Sequence, residues 1–367
     1  MPSEASDRKP GSDAALLDFL EQVSGEVQAR VEESFGEGFV RLRSSEAERR
    51  QALHDIRGVE DIVIELLRNA RDANAHNIYI ATTRDGDDRL LTVIDDGAGI
   101  PAEMVERIFE PRVTSKLDSM VTDDWGVHGR GMALYSIRTN ATLARVALSI
   151  TGLGSALEVR ADTASLPERA DQSSLPTVEK DEAGQLHVAR GPHNIVRTAV
   201  AFALANRQRL TVYLGSPSEI AATLLERGSA SIGSEGLLLR RDVSGLPLPE
   251  RLALSRDAAA LEQAGAEIGL HLSERTAHRI LTGQIVPLAP LLDSVLSRRD
   301  RVSAAPDLHR DNRGLKIAED DLQAFSRDLE SVFEPLAERY YLSLRDLPRI
   351  RVSGEQIVVR FDIEKEL

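Results

Sequence analysis

Apolar positions along the chain alternate between helical and strand spacing. Residues 13–54 carry helical spacing, with Leu16, Leu17, Phe19, Leu20 and Val23 followed by Val27 and Val31. From Val59 to Ala73 the pattern sharpens into an amphipathic helix, with Ile62, Leu66, Ala70 and Ala73 on one face. Two strands follow, Asn77–Thr82 and Leu90–Ile94, separated by the turn-rich Arg84-Asp85-Gly86-Asp87-Asp88. A glycine-punctuated stretch runs to Gly131, and a helix starts near Met132. Residues Ala144–Ile150 and Ala156–Ala161 read as a hairpin around Thr151-Gly152-Leu153-Gly154.

Residues 166–192 are polar, with Pro, Ser and Gly interspersed, and read as a linker. Beyond them, a helix near 195–205, a strand near 209–214 and a helix near 217–227 predict a second α/β module over 193–245. The remainder, 246–367, reads as mainly helical, with a helix around Glu319–Tyr341 and a closing strand at Gln356–Asp362. The division expected is therefore a helical arm with a disordered tip (1–49), a first α/β domain (50–165), the linker, the second module and the helical region.

Composition narrows the possibilities. A chain of 367 residues exceeds what one core usually serves. No run of about 18 apolar residues offers a membrane span, and the polar opening lacks a signal core, so cytoplasmic residence is expected. The absence of cysteine excludes disulfides, thiolate metal sites and cysteine nucleophiles. A net charge of −14 argues against nucleic acid wrapped over most of the surface, while leaving room for a local basic face. Only five of the 45 basic residues are lysines, so a lysine inside a motif stands out.

Four elements carry chemistry. On the helix from Val59, Glu65, Asn69 and Asp72 lie at i, i+4 and i+7 and stack on one face. Asn69 offers a carbonyl oxygen to Mg²⁺, which prefers hard oxygen ligands, and Glu65 can orient and deprotonate a water. The second element, Asp95-Asp96-Gly97-Ala98-Gly99-Ile100, closes a strand with a carboxylate that can accept from an exocyclic amine such as adenine's. Third is Arg112-Val113-Thr114-Ser115-Lys116, with two hydroxyls and two cations for phosphates. Last comes Gly126-Val127-His128-Gly129-Arg130-Gly131, glycine-rich backbone running into a helix N-terminus that favours anions. Taken singly, each is a common surface feature; no Walker-type P-loop is present.

In order and wording the four elements resemble the boxes of the GHKL (Bergerat-fold) ATPases. ELLRNARDANAHNIYI is similar to the first box of MutL, type II topoisomerases and heat-shock chaperone ATPases, and IDDGAGI to their second. PRVTSK resembles the Thr-Ser-Lys segment of MutL, and GVHGRGMALYSI the glycine lid with its following helix. The resemblance implies a Bergerat α/β sandwich at 50–165, a transducer-like α/β module after it, and ATP and Mg²⁺ as cofactors. It makes Asn69 the Mg²⁺ ligand and Asp95 the reader of adenine. It places Asp72, Gly97, Gly99 and Ile100 at the pocket, Thr114, Ser115 and Lys116 near phosphates, and Gly126, Val127, His128, Gly129, Arg130 and Gly131 in the lid.

Glu65 separates the branches of the family. The hydrolysing members carry Glu four positions before the metal-binding Asn, whereas histidine kinases usually carry Asn or His. The implied activity is an ATPase that closes a lid and dimerises on ATP, with a client protein or DNA as further partner and no membrane. Lys316 and Lys180 are the candidate lysines for sensing the γ-phosphate. A histidine-kinase-like activity is the alternative, but His54-Asp55 is the only phospho-acceptor candidate and lies 11 residues before Glu65. A second alternative is an ATP-liganded DNA-binding regulator, because residues 261–283 resemble a helix-turn-helix in which Ser273 caps a helix presenting Arg275, Thr276 and Arg279.

Overall fold

The computed structural model describes residues 31–36, 39–114, 121–123, 126–128, 131–169, 171–181, 184–239, 243–297, 319–340, 342–353 and 356–365. The chain divides into two compact units, 1–299 and 300–367.

The first unit begins with two strands, β1 (Val31–Gly36) and β2 (Phe39–Leu42), paired antiparallel. Helical spacing was expected to run through Val31 to residue 54, and its part before residue 31 lies outside the described residues. Gly36 and Gly38 punctuate this stretch and disfavour a helix, so the chain turns into a hairpin instead. A helix does form at α1 (Glu46–Asp55), where Ser45 and Glu48 build a reciprocal capping box.

Next come α2 (Val59–Asp72), β3 (Asn77–Asp85) and β4 (Asp88–Asp95). After two short 3₁₀ turns follow β5 (Val113–Thr114), β6 (Val121–Asp123), β7 (Gly126–His128) and α3 (Ala133–Asn140). A long hairpin, β8 (Leu143–Ile150) and β9 (Gly154–Asp162), completes this stretch. The residues expected as a linker instead pack on the domain. Leu166 and Val178 are buried in its core, and Glu168 accepts from Arg89 at 2.7 Å. Within that segment β10 (Thr177–Lys180) pairs with β11 (Leu186–Arg190). Its few apolar side chains are spaced among polar ones, which hides their burial from composition.

The segment read as a second module also joins the first. After α4 (Ile195–Ala205), β12 (Thr211–Gly215) pairs parallel with β3, from Thr211 opposite Asn77 to Gly215 opposite Ala81. The resulting five-stranded mixed sheet has the order β12-β3-β4-β9-β8. Strand alternation divides its side chains between two cores. Ile78, Ile80, Leu91, Val93 and Val159 face one core together with α2, α4 and α8 (Leu291–Ser297). Tyr79, Ala81, Ile94, Ala156 and Tyr213 face the other. That second core is closed by α5 (Pro217–Leu239), a 3₁₀ turn at Leu248–Leu254, α6 (Ala258–Glu267) and α7 (Glu274–Leu281). The result is an α/β sandwich with helices on both faces of one sheet.

The second unit contains α9 (Glu319–Tyr340), with β13 (Leu342–Leu344) paired to β16 (Ile363–Lys365) and β14 (Arg349–Ser353) paired to β15 (Gln356–Arg360). Its C-terminal portion is strand-rich where a single closing strand was expected. Among the described residues no helix is long and apolar enough to cross a membrane.

Candidate functional site

Helix α2 and the end of β4 open onto one cavity of about 880 Å³. From α2 it is lined by Glu65, Asn69 and Asp72, one helical turn apart as their spacing requires. Asp95 lines it from the last position of β4, and Gly99 and Ile100 from the loop that follows. Thr114 of β5 and Gly131, just before α3, close the far side. Ser115, Lys116, Gly129 and Arg130 lie outside the described residues. Gly126, Val127 and His128 form β7, a strand paired with β6 where sequence suggested loop.

The two adjacent carboxylates Asp95 and Asp96 do different work. Asp96 is committed to structure: Oδ1 accepts from the backbone N–H of His76 at 2.7 Å and of Asn77 at 2.8 Å, and Oδ2 accepts from the Asn77 side chain at 2.7 Å. Asp95 lines the cavity and is 2% exposed. Its Oδ2 accepts from the Ser155 hydroxyl at 2.6 Å and its Oδ1 from the Gly97 N–H at 2.8 Å. Burial pushes its pKa up to about 6, against the pull of those two hydrogen bonds. Gly97 is thus part of the pocket frame. A Cβ there would meet the Ala73 carbonyl at 2.7 Å. Gly154 packs as tightly, with a Cβ position 2.2 Å from the Asp95 carbonyl oxygen and φ of +107°.

On α2, Glu65 is ion-paired with Arg68, which is 4% exposed and also lines the cavity. The side-chain nitrogen of Asn69 is buried without a hydrogen-bond partner. Such an orphaned donor is costly unless a ligand supplies an acceptor. Among the described residues no group of three or more His, Cys, Asp or Glu side chains could hold a metal alone. A single amide oxygen beside a cavity suits Mg²⁺ arriving with phosphate oxygens and its own waters. Val93 and Leu157, cross-strand partners in β4 and β9, give the same cavity an apolar wall.

Sequence reasoning did not single out Ser155, Arg68, Phe39 or Ser136, all of which belong to this site. Ser155 stands directly opposite Asp95 across the β4–β9 pairing, which joins strands far apart in sequence. Phe39 comes from the β1–β2 hairpin and left no signal.

Comparison with known proteins identifies the domain at 54–165. A model described as "Histidine kinase-, DNA gyrase B-, and HSP90-like ATPase" matches residues 54–165. Those residues are a GHKL ATPase domain. The DNA mismatch repair protein MutL of Thermus aquaticus is 43% identical over 86 residues, 23% of this chain and 16% of that protein. MutL of Clostridium perfringens is 36% identical over 85 residues, 23% of this chain and 12% of its own length. MutL of Aquifex pyrophilus is 36% identical over 104 residues, or 27% and 24% of the two chains. The similarity therefore spans a quarter or less of these relatives. Strand β12 lies outside the matched residues, yet completes the sheet of the GHKL domain.

The segments that bring Thr114 and Gly131 to the cavity of the GHKL domain meet at a junction of two left-handed residues. Arg112 has φ of +62°, unusual for a non-glycine residue, and Gly131 has φ of +67°. The Arg112 N–H donates to the Gly131 carbonyl at 2.8 Å, so the two left-handed residues join these segments. A Cβ on Gly131 would lie 2.9 Å from the Val113 carbonyl oxygen. Gly131→Ala is therefore expected to destabilise the domain by about 1–3 kcal/mol and to weaken nucleotide binding about tenfold or more. Paired thermal melts and calorimetric titrations measure both effects; a variant matching the parent in each refutes the junction.

The other candidates sit apart from the cavity. His54 is exposed at the end of α1, although its neighbour Asp55 lines the cavity. Lys180 is exposed on β10, and Lys316 lies outside the described residues. The helix-turn-helix residues form α6 and α7, with Ser273 accepting from the Thr276 N–H at 3.2 Å and with Arg275 and Arg279 exposed. The turn between them is fastened to the sheet. Thr92 donates to the Gly269 carbonyl at 2.8 Å, and His271 lies 3.0 Å from the Glu158 carboxylate. Ala277 and Ile280 of α7 are buried in the second core, so the helix pair packs as a cap on that face.

Proposed function

We propose that this protein is a Mg²⁺-dependent ATPase that uses the nucleotide as a conformational switch, closing its lid and pairing with a second copy when ATP is bound. The observation that carries the reading is the convergence of Glu65 and Asn69 from one helix and Asp95 from a strand end on a single cavity. In this reading Asp95 accepts from the exocyclic amine of adenine, with its charge retained near neutral pH despite burial. Asn69 would hold the Mg²⁺ that accompanies the phosphates, and the ion, when bound, would supply neutralisation of their charge. Glu65 takes a proton from the attacking water. Lys116 and Arg130 are proposed to face the phosphates. Residues 193–245 are proposed to carry the nucleotide state away from the site, since their strand β12 pairs with β3 of the same sheet.

The matched relatives are named as mismatch repair proteins, which makes DNA, or a protein that handles it, the client favoured here. Calorimetry with Mg²⁺ and a non-hydrolysable ATP analogue is expected to show one site per chain. Light scattering is expected to show the mass doubling when the analogue is present. No binding by folded protein would overturn the nucleotide reading, whereas binding without a change in mass would overturn dimerisation alone.

A further inference from the structure

We propose that the Ser136 hydroxyl contacts the polyphosphate of the bound nucleotide from one turn inside α3; the inference rests on the nucleotide-binding reading above. Ser136 lines the cavity, is 1% exposed, and its hydroxyl has no hydrogen-bond partner. A buried serine within a helix can return its hydroxyl to the carbonyl four residues earlier. Neighbouring side chains on α3 do form such bonds. Thr139 donates to the Tyr135 carbonyl at 2.7 Å, and Asn140 to the Ser136 carbonyl at 2.9 Å. Ser136 alone among these three is left unsatisfied, in a place where an unmet polar group is costly.

The surroundings specify what would satisfy it. Helix α3 has Met132 at its N-cap, which makes no side-chain capping bond. The Ser136 N–H donates to the Met132 carbonyl at 2.8 Å, while the amides of the preceding turn have no intrahelical acceptor by helix geometry. The Asn69 side-chain nitrogen, unpartnered and on the same cavity, is again a donor. Each of these groups can donate a hydrogen bond, and Ser136 sits near the N-terminal, positive end of the α3 dipole. An apolar ligand would leave all of them unmet, and a nucleobase would meet few. A chain of phosphate oxygens offers acceptors to each.

Ser136→Ala separates this role from a structural one. Its affinity for a non-hydrolysable ATP analogue with Mg²⁺, measured by calorimetry, should fall about tenfold, the effect of one hydrogen bond to a charged acceptor. Its affinity for adenosine, measured by ligand-observed NMR, should not change. The unliganded variant should melt at or above the parent temperature, because a buried unpaired hydroxyl has been removed. Unchanged affinity for the analogue, an equal loss for adenosine, or a lowered melting temperature or failure to fold would each overturn the proposal. Parent protein that binds no adenine nucleotide would sink the nucleotide reading itself, a result distinct from normal parent binding with an indifferent variant.

Discussion

Glu65→Gln is expected to lower ATP turnover about a thousandfold, the usual worth of a positioned general base, while nucleotide affinity stays within about threefold because the chemical step alone loses its base. The geometry explains the choice of glutamine. Glu65 is ion-paired with Arg68, a guanidinium that is 4% exposed. Alanine would take that carboxylate away from a buried charge and lower stability together with turnover, mixing two effects. Glutamine keeps an acceptor for Arg68 and removes only the basic oxygen. Phosphate release and calorimetry on the same preparation give the two numbers. Turnover within about threefold of the parent would take Glu65 out of the chemistry. Label from γ-labelled ATP appearing on the protein would point instead to kinase chemistry.

The legibility of this fold in its sequence follows physical lines. Helix α2 announces itself because one face must bury Ile62, Leu66 and Ala70 while the other carries Glu65, Asn69 and Asp72. Local periodicity specifies local structure, and there the expectation and the helix agree within a residue at the C-terminal end. Strand β12 was also legible as a strand, but its partner was not. Parallel pairing with β3 joins residues more than a hundred positions apart, and nothing in the five residues of β12 encodes that choice. The same limit produced the separate second module and the linker. Leu166 and Val178 look isolated in sequence and are buried only because the chain folds back over the domain. In the hairpin β1–β2, apolar residues spaced four apart, such as Phe35 and Phe39, mimic a helix, while Gly36 and Gly38 carry the decisive signal. Polar partners inside the site were hardest to see. Ser155 and Arg68 are ordinary residues until register or burial brings them against Asp95 and Glu65.

Nucleotide affinity is expected to weaken about tenfold for each pH unit below 6, and Asp95→Asn should remove this dependence while lowering affinity near neutrality about a hundredfold. Burial raises the Asp95 pKa from its ordinary 3.8 to about 6. A carboxyl whose folded value lies above its unfolded one adds stability that is complete below about pH 4 and is lost as the pH rises through 6. At neutral pH the unliganded domain therefore holds a buried charge at a cost on the order of 3 kcal/mol, an arrangement that stability alone would not favour. A ligand amine donating to the ionised form offsets that cost, so binding must weaken as the group protonates. Asparagine is neutral throughout. Its oxygen can accept from the Gly97 N–H and its nitrogen can donate to the Ser155 hydroxyl, in place of the bonds now made to Oδ1 and Oδ2. The variant should consequently fold well and melt at or above the parent at pH 7.5, yet present an N–H where adenine needs an acceptor. Calorimetric titrations between pH 5 and 8 in ~0.5 pH steps follow both proteins across a transition about two units wide. A flat parent profile across that range, or tight binding by the asparagine variant, would remove Asp95 from base recognition.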